Sequence, residues 1–132
     1  MKFNKTVLLK ELYDFDKQHE IDTVLLVIPE LEHYDDHVEV YYVMQEMIDY
    51  DELNIRLVSF HPNSIYGSSD SNHVVNYINR SPYAIIQLLK ESDLEQLELS
   101  KEQKQEILDK NQKTMERIGA NYLSKQINEL RK

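Results

Sequence analysis

The chain has no cysteine and no tryptophan, and only two glycines and three prolines among its 132 residues. Without cysteine there is no disulfide, no thiolate metal ligand and no thiol nucleophile. With so little glycine, neither of the common glycine-rich phosphate loops can be built. No apolar run approaches the roughly 18 residues that a membrane-spanning helix needs. The opening Met1-Lys2-Phe3-Asn4-Lys5 lacks the apolar stretch and small-residue cleavage site of a secretory signal. Positive charge is also in short supply, with 15 Lys and Arg against 24 Asp and Glu and a net charge of −9. A nucleic-acid backbone requires clustered Lys and Arg, so that partner class is not expected. The acidity is spread along the chain rather than massed in a tail, as a solubilising surface is. The expectation is a single α/β domain over residues 1–132 in a cytoplasmic setting, binding neither nucleic acid nor membrane.

What is present is periodic. Val7, Leu8, Leu12, Tyr13 and Phe15 recur at helical spacing within residues 4–18, with charged residues between them. Thr23-Val24-Leu25-Leu26-Val27-Ile28 is a β-branched apolar run closed by Pro29, which suits a strand covered on both faces. Asp35 and Asp36 precede an amphipathic stretch from His37 to Tyr50, in which Val40, Val43, Met44, Met47 and Ile48 form one stripe. Asn54 to Phe60 reads as a second strand, closed by Pro62. Strand, helix, strand in this order predicts a βαβ unit and a small, mostly parallel sheet flanked by helices.

From His61 to Asn72 the composition is that of a loop. Ser81-Pro82 reads as a helix start, serine capping and proline at the first helical position, with Ile85, Ile86, Leu88 and Leu89 as the buried face. Ser92-Asp93-Leu94-Glu95 and Ser100-Lys101-Glu102-Gln103 both have capping-box form. They predict a short helix followed by a long C-terminal helical segment that Gly119 kinks or divides, and that packs over the sheet or offers a surface for association. Two parallel strands alone leave open edges. Either a segment read as helix or loop supplies another strand, or a second copy or a protein partner completes the sheet.

Chemistry-bearing side chains concentrate between Val58 and Tyr83. Val58-Ser59-Phe60-His61-Pro62 ends a strand in a histidine, and Asn76-Tyr77-Ile78-Asn79-Arg80-Ser81-Pro82-Tyr83 sets amides and a guanidinium before the Ser-Pro start. These strings, with Thr23–Pro29, Leu88-Leu89 and the later Asn111, Met115 and Ile118-Gly119, resemble a bacterial family described as domain of unknown function 1415. The resemblance covers roughly residues 20–123. It implies a small α/β domain and marks Ser59, His61, Asn76, Asn79, Arg80, Ser81 and Tyr83 as matching the family pattern, with no established activity. Family members usually carry a longer N-terminal region with a Cys-Pro-Phe string and a further strand, both upstream of where this chain begins. After Arg80 they tend to place a second proline, a histidine and an arginine where this chain has Ala84, Gln87 and Lys90. Chemistry that used that cysteine or histidine is closed to this chain by the same route.

Two readings of the cluster follow. In one, helix-start amides near Ser81, the Arg80 guanidinium and neutral donors from Ser59, Asn76, Asn79 and Tyr83 hold a small anion, a phosphate or carboxylate. In the other, the same polar groups clamp the loop backbone. The leading functional expectation is a non-catalytic binding or protein-interaction module without cofactor. The alternative is a small hydrolase or phosphate-ester enzyme with His61 as general acid or base beside Arg80. His33 and His37 are four apart, but the aspartates between them place His33 ahead of the helix, so a shared metal is not expected. The polar loop Asn63–Asn72 lacks a calcium-loop pattern, and the tyrosines do not alternate with basic residues as a base-stacking platform would.

Overall fold

The computed structural model describes residues 5–65, 73–96 and 100–131. Most of the polar loop, Tyr66–Asn72, therefore lies outside the described residues. Helix α1 (Lys5–Lys17) leads into strand β1 (Thr23–Val27), helix α2 (Tyr34–Tyr50) and strand β2 (Ile55–Phe60). A 3-10 helix (Val74–Asn79) then precedes strand β3 (Ile85–Lys90), short helix α3 (Glu91–Gln96) and helices α4 (Lys101–Ile118) and α5 (Ala120–Leu130). No helix among these residues is long and apolar enough to cross a membrane.

The sheet corrects the expected topology. Its order is β1-β3-β2, and β3 is antiparallel to both neighbours, so the mostly parallel sheet is not formed. β1 and β2 do run in the same direction with α2 between them, but β3 is inserted where they would have paired. The segment expected to be a helix after Ser81-Pro82 thus supplies the missing strand, and no helix begins at Ser81. The spacing of Ile85, Ile86, Leu88 and Leu89 fits either period over so short a run. What resolves it is position 90: Ile86, Leu88 and Lys90 alternate inward and are all buried. A lysine on the buried face hid the alternation.

Lys90 is accommodated by a specific set of contacts. Its ammonium donates to the Phe15 carbonyl near the end of α1 and lies 4.0 Å from the centre of the Phe15 ring. A cation at a helix C-terminus is favoured by the helix dipole, and the aromatic face adds to it. Tyr13 Oη donates to Asp51, and the Asn54 N–H donates to Asp16 Oδ1 at 2.8 Å, so α1 is also tied to the turn between α2 and β2.

The core lies on one face of the sheet. Leu8, Leu12 and Phe15 of α1 and Val40, Met44 and Ile48 of α2 pack with Ile55, Leu57, Ile86 and Leu88. The opposite face carries Leu25 and Val27 more than half exposed. The expected capping box is formed: the Gln103 N–H donates to Ser100 Oγ and the Ser100 N–H to Gln103 Oε1. Gly119 divides the C-terminal segment at φ 92°, a backbone conformation that glycine adopts at no steric cost. This segment packs mainly against the 3-10 helix rather than over the sheet, and neither α4 nor α5 buries a residue completely.

Leu88 sits at the centre of the middle strand with 0% exposure. Leu88→Ala is expected to lower stability by about 2–5 kcal/mol in chemical denaturation. The same truncation at the exposed Leu25 is expected to cost well under about 1 kcal/mol.

Candidate functional site

β2 delivers His61 to the interior, where it has 0% exposure. All of its polar groups are engaged. The Asn63 N–H donates to Nδ1 at 3.1 Å, so Nδ1 is unprotonated and Nε2 carries the hydrogen. Nε2–H donates to the Leu31 carbonyl at 2.8 Å. The His61 backbone N–H donates to the Asn79 carbonyl, and the His61 carbonyl accepts from the Ser64 N–H, each at 3.1 Å. Burial holds the imidazole below its ordinary value of 6.5, and the charge of Arg131 pushes the same way against the Leu31 bond. This histidine joins three chain segments and keeps no nitrogen free for proton transfer.

A second buried histidine lies beside it. His37, on the inner face of α2, has its ring centre 5.0 Å from that of His61 and Nε2 at 2.8 Å from Ser59 Oγ. Its Nδ1 is buried and, among the described residues, has no hydrogen-bond partner. An orphaned N–H costs more than an orphaned lone pair, so the proton belongs on Nε2, donated to Ser59. A serine nucleophile requires the reverse, with Nε2 accepting and a third group holding Nδ1–H. Burial first, and then His61, lower the His37 pKa from 6.5 to about 4. The Ser59–His37 pair has the distance of a nucleophile and base without the proton arrangement.

The residues singled out in the sequence divide between two places. Ser59, Asn76 and Asn79 line a cavity of about 360 Å³ beside the free edge of β2, with Tyr34 and Tyr41 in its wall. Asn79 Nδ2 donates to the Ser59 carbonyl at 3.1 Å, and Asn76 is buried. Arg80 turns to a different cavity, of about 260 Å³, which it lines with Asn63, Tyr77, Ser124, Asn128 and Arg131. Its Nε donates to the Ser64 carbonyl at 3.1 Å and its guanidinium carbon lies 4.7 Å from the Tyr77 ring centre. Ser81 donates to the Tyr83 carbonyl within its own loop, and Tyr83 Oη donates to the Arg131 carbonyl at 3.1 Å. Because no helix begins at Ser81, no helix-start amides gather there, and the Ser81 hydroxyl is used within its own loop.

His37 and Arg131 were missing from the sequence-derived set. His37 had a legible signal, because it continues the buried stripe Val40, Met44, Ile48 at helical spacing. His33 is the exposed residue preceding α2, so the two histidines do not share a site. Arg131 follows the end of α5, and nothing in its local sequence points to the cavity.

The family described as Protein of unknown function (DUF1415) matches residues 4–125, and the chain belongs to that family. No curated protein and no solved structure matches it.

Between pH 6.5 and about 4 the unfolded chain holds a proton on His37 that the folded chain does not. Stability is therefore expected to fall as pH drops through that window. His37→Leu is expected to flatten this part of a pH–stability profile measured by urea denaturation and to be the more stable protein near pH 4.5.

Proposed function

We propose that this member of the family is a non-catalytic binding module whose ligand is a small anion, a phosphate or carboxylate, held between Arg80 and Arg131. The observation that carries the reading is that two arginines, Arg80 and Arg131, line one cavity, together with the neutral polar residues Asn63, Ser124 and Asn128. Arginine presents a planar fork of donors that matches carboxylate or phosphate oxygens. Stacking on Tyr77 and the bond to the Ser64 carbonyl hold Arg80 in place before a ligand arrives. Arg131 is placed by its position at the C-terminal end of α5, where a cation is favoured with or without a ligand. A volume of about 260 Å³ lies just under the usual range for drug-sized ligands, about 300–1,000 Å³. A phosphate or a short carboxylic acid fits that size better than a nucleotide.

The hydrolase alternative rests on His61 as general acid or base. Both of its ring nitrogens are committed to hydrogen bonds and it is fully buried, which weighs against that role.

The test is thermal stability in low-salt buffer against inorganic phosphate, citrate and acetate. A ligand present at 100 times its Kd is expected to stabilise the native state by about 2.7 kcal/mol. Arg80→Ala and Arg131→Ala are each expected to weaken binding by about tenfold or more. If none of these anions raises the Tm of the unaltered protein, the anion reading fails. Release of phosphate from p-nitrophenyl phosphate that disappears in His61→Gln would instead restore the enzyme.

A further inference from the structure

β2 is an edge strand, and its backbone orientation can be assigned residue by residue. Tyr41 Oη donates to the Leu57 carbonyl at 3.4 Å and Asn79 Nδ2 donates to the Ser59 carbonyl at 3.1 Å, both from outside the sheet. On the other side of β3, Thr23 Oγ1 donates to the Leu88 carbonyl, which therefore faces β1 and not its β2 partner Leu57. In an antiparallel ladder, backbone groups alternate in direction. Arg56, Val58 and Phe60 thus pair with β3, while Ile55, Leu57 and Ser59 turn their N–H and C=O groups to the free edge. Among the described residues, nothing accepts from the Leu57 or Ser59 N–H.

Helix α2 runs alongside this edge, and two cavities open between them. One, of about 440 Å³, is bounded by Gln45 and Asp49 of α2 and by Ile55 and Arg56 of β2. The other, the cavity of about 360 Å³, is bounded by Tyr41 of α2 and by Leu57 and Ser59 of β2. Tyr41, Gln45 and Asp49 succeed one another at one-turn intervals, so the two cavities follow one another along α2 and β2 and are treated together as one groove. Its ends differ in charge. At the Ile55 end, Arg56 is committed to Glu91 through bonds of 2.7 and 2.6 Å, which leaves Asp49 and Glu52 as excess negative charge. At the Ser59 end the polar side chains are neutral: Ser59, Ser64, Asn76 and Asn79.

From this geometry we propose that the groove docks an extended peptide as a fourth strand beside β2, with a basic side chain at the Asp49–Glu52 end. Strand addition at an open edge uses main-chain hydrogen bonds for affinity and flanking pockets for alternate side chains. Among the described residues the Leu57 N–H has no acceptor, and the Leu57 carbonyl is held only by the Tyr41 hydroxyl, at a distance longer than an ordinary O–H···O bond. Beyond Ser59 the edge is closed, because Asn79 takes the Ser59 carbonyl with its side chain and the His61 N–H with its backbone. The 3-10 helix thereby sets where an added strand stops. Antiparallel pairing, the more stable arrangement, puts the peptide's C-terminal half at the acidic end. This groove is separate from the Arg80–Arg131 cavity and does not depend on it.

The probe is acetyl-Thr-Val-Thr-Val-Lys-amide, titrated into ¹⁵N-labelled full-length protein. Saturable shifts are expected at the Leu57 and Ser59 amides. The peptide acetyl-Lys-Val-Thr-Val-Thr-amide, with its lysine at the wrong end, is expected to bind about tenfold more weakly, as is the first peptide to Glu52→Lys. N-methylation of alternate peptide amides is expected to abolish binding in the register that faces β2, and it leaves the protein unaltered. No shift at Leu57 and Ser59 up to millimolar peptide overturns the proposal. Shifts confined to the β1 edge at Leu25, or equal binding of the peptide methylated in either alternate set, overturn it as well.

Discussion

His61 is the constraint on which both candidate surfaces depend. Its side chain takes the Leu31 carbonyl from the β1–α2 connection and the Asn63 N–H from the following loop, while its backbone pairs with Asn79 and Ser64. These bonds are made out of contact with water, where each unmade one would cost about 1–3 kcal/mol. They fix where β2 ends, and so where the 3-10 helix crosses its edge. They also set the loop whose Asn63 faces one cavity and whose Ser64 carbonyl holds Arg80. His61 thus fastens three segments of the chain to one another.

His37 extends that buried arrangement through its contacts with the His61 ring and the Ser59 hydroxyl. The two imidazoles lie 5.0 Å apart, no carboxylate among the described residues draws a positive charge onto either, and burial disfavours protonation of both. The Ser59 hydroxyl receives a hydrogen bond from His37 and keeps its own proton. Away from that pair lie the cavity that Arg80 and Arg131 line, proposed above to hold an anion, and the outer edge of β2, which no strand pairs among the described residues. The net charge of −9 works against an anion at long range, so selectivity for one would rest on the local arginine geometry.

Much of the fold was legible. The stripe of α2, the capping box at Ser100 and the break at Gly119 each follow from one local rule that the tertiary structure respects, whereas the apolar run Thr23–Val27 is a strand, as expected, but is covered on one face and not on both. The sheet was not, because its middle strand ends in Lys90, whose burial depends on the Phe15 ring and carbonyl 75 positions away in the chain. Reading Ile85–Lys90 as a helix also created a helix start at Ser81 and, with it, an anion site drawn in one place. Of the residues singled out, Ser59 and Asn79 border one cavity and Arg80 another. Their division between two cavities was not legible, as it follows from a 3-10 helix that crosses the end of β2 and sends Asn79 and Arg80 to opposite sides.

The most direct measurement of the central claim is a ¹⁵N NMR titration of the histidine rings. The account predicts that His61 shows a protonated Nε2 and an acceptor-type Nδ1, and that it stays neutral at pH values below 6.5 where an ordinary histidine is charged. A His61 that is protonated on Nδ1, or that titrates at or above 6.5 in the folded protein, would contradict the structural role assigned to it and return it to the list of catalytic bases.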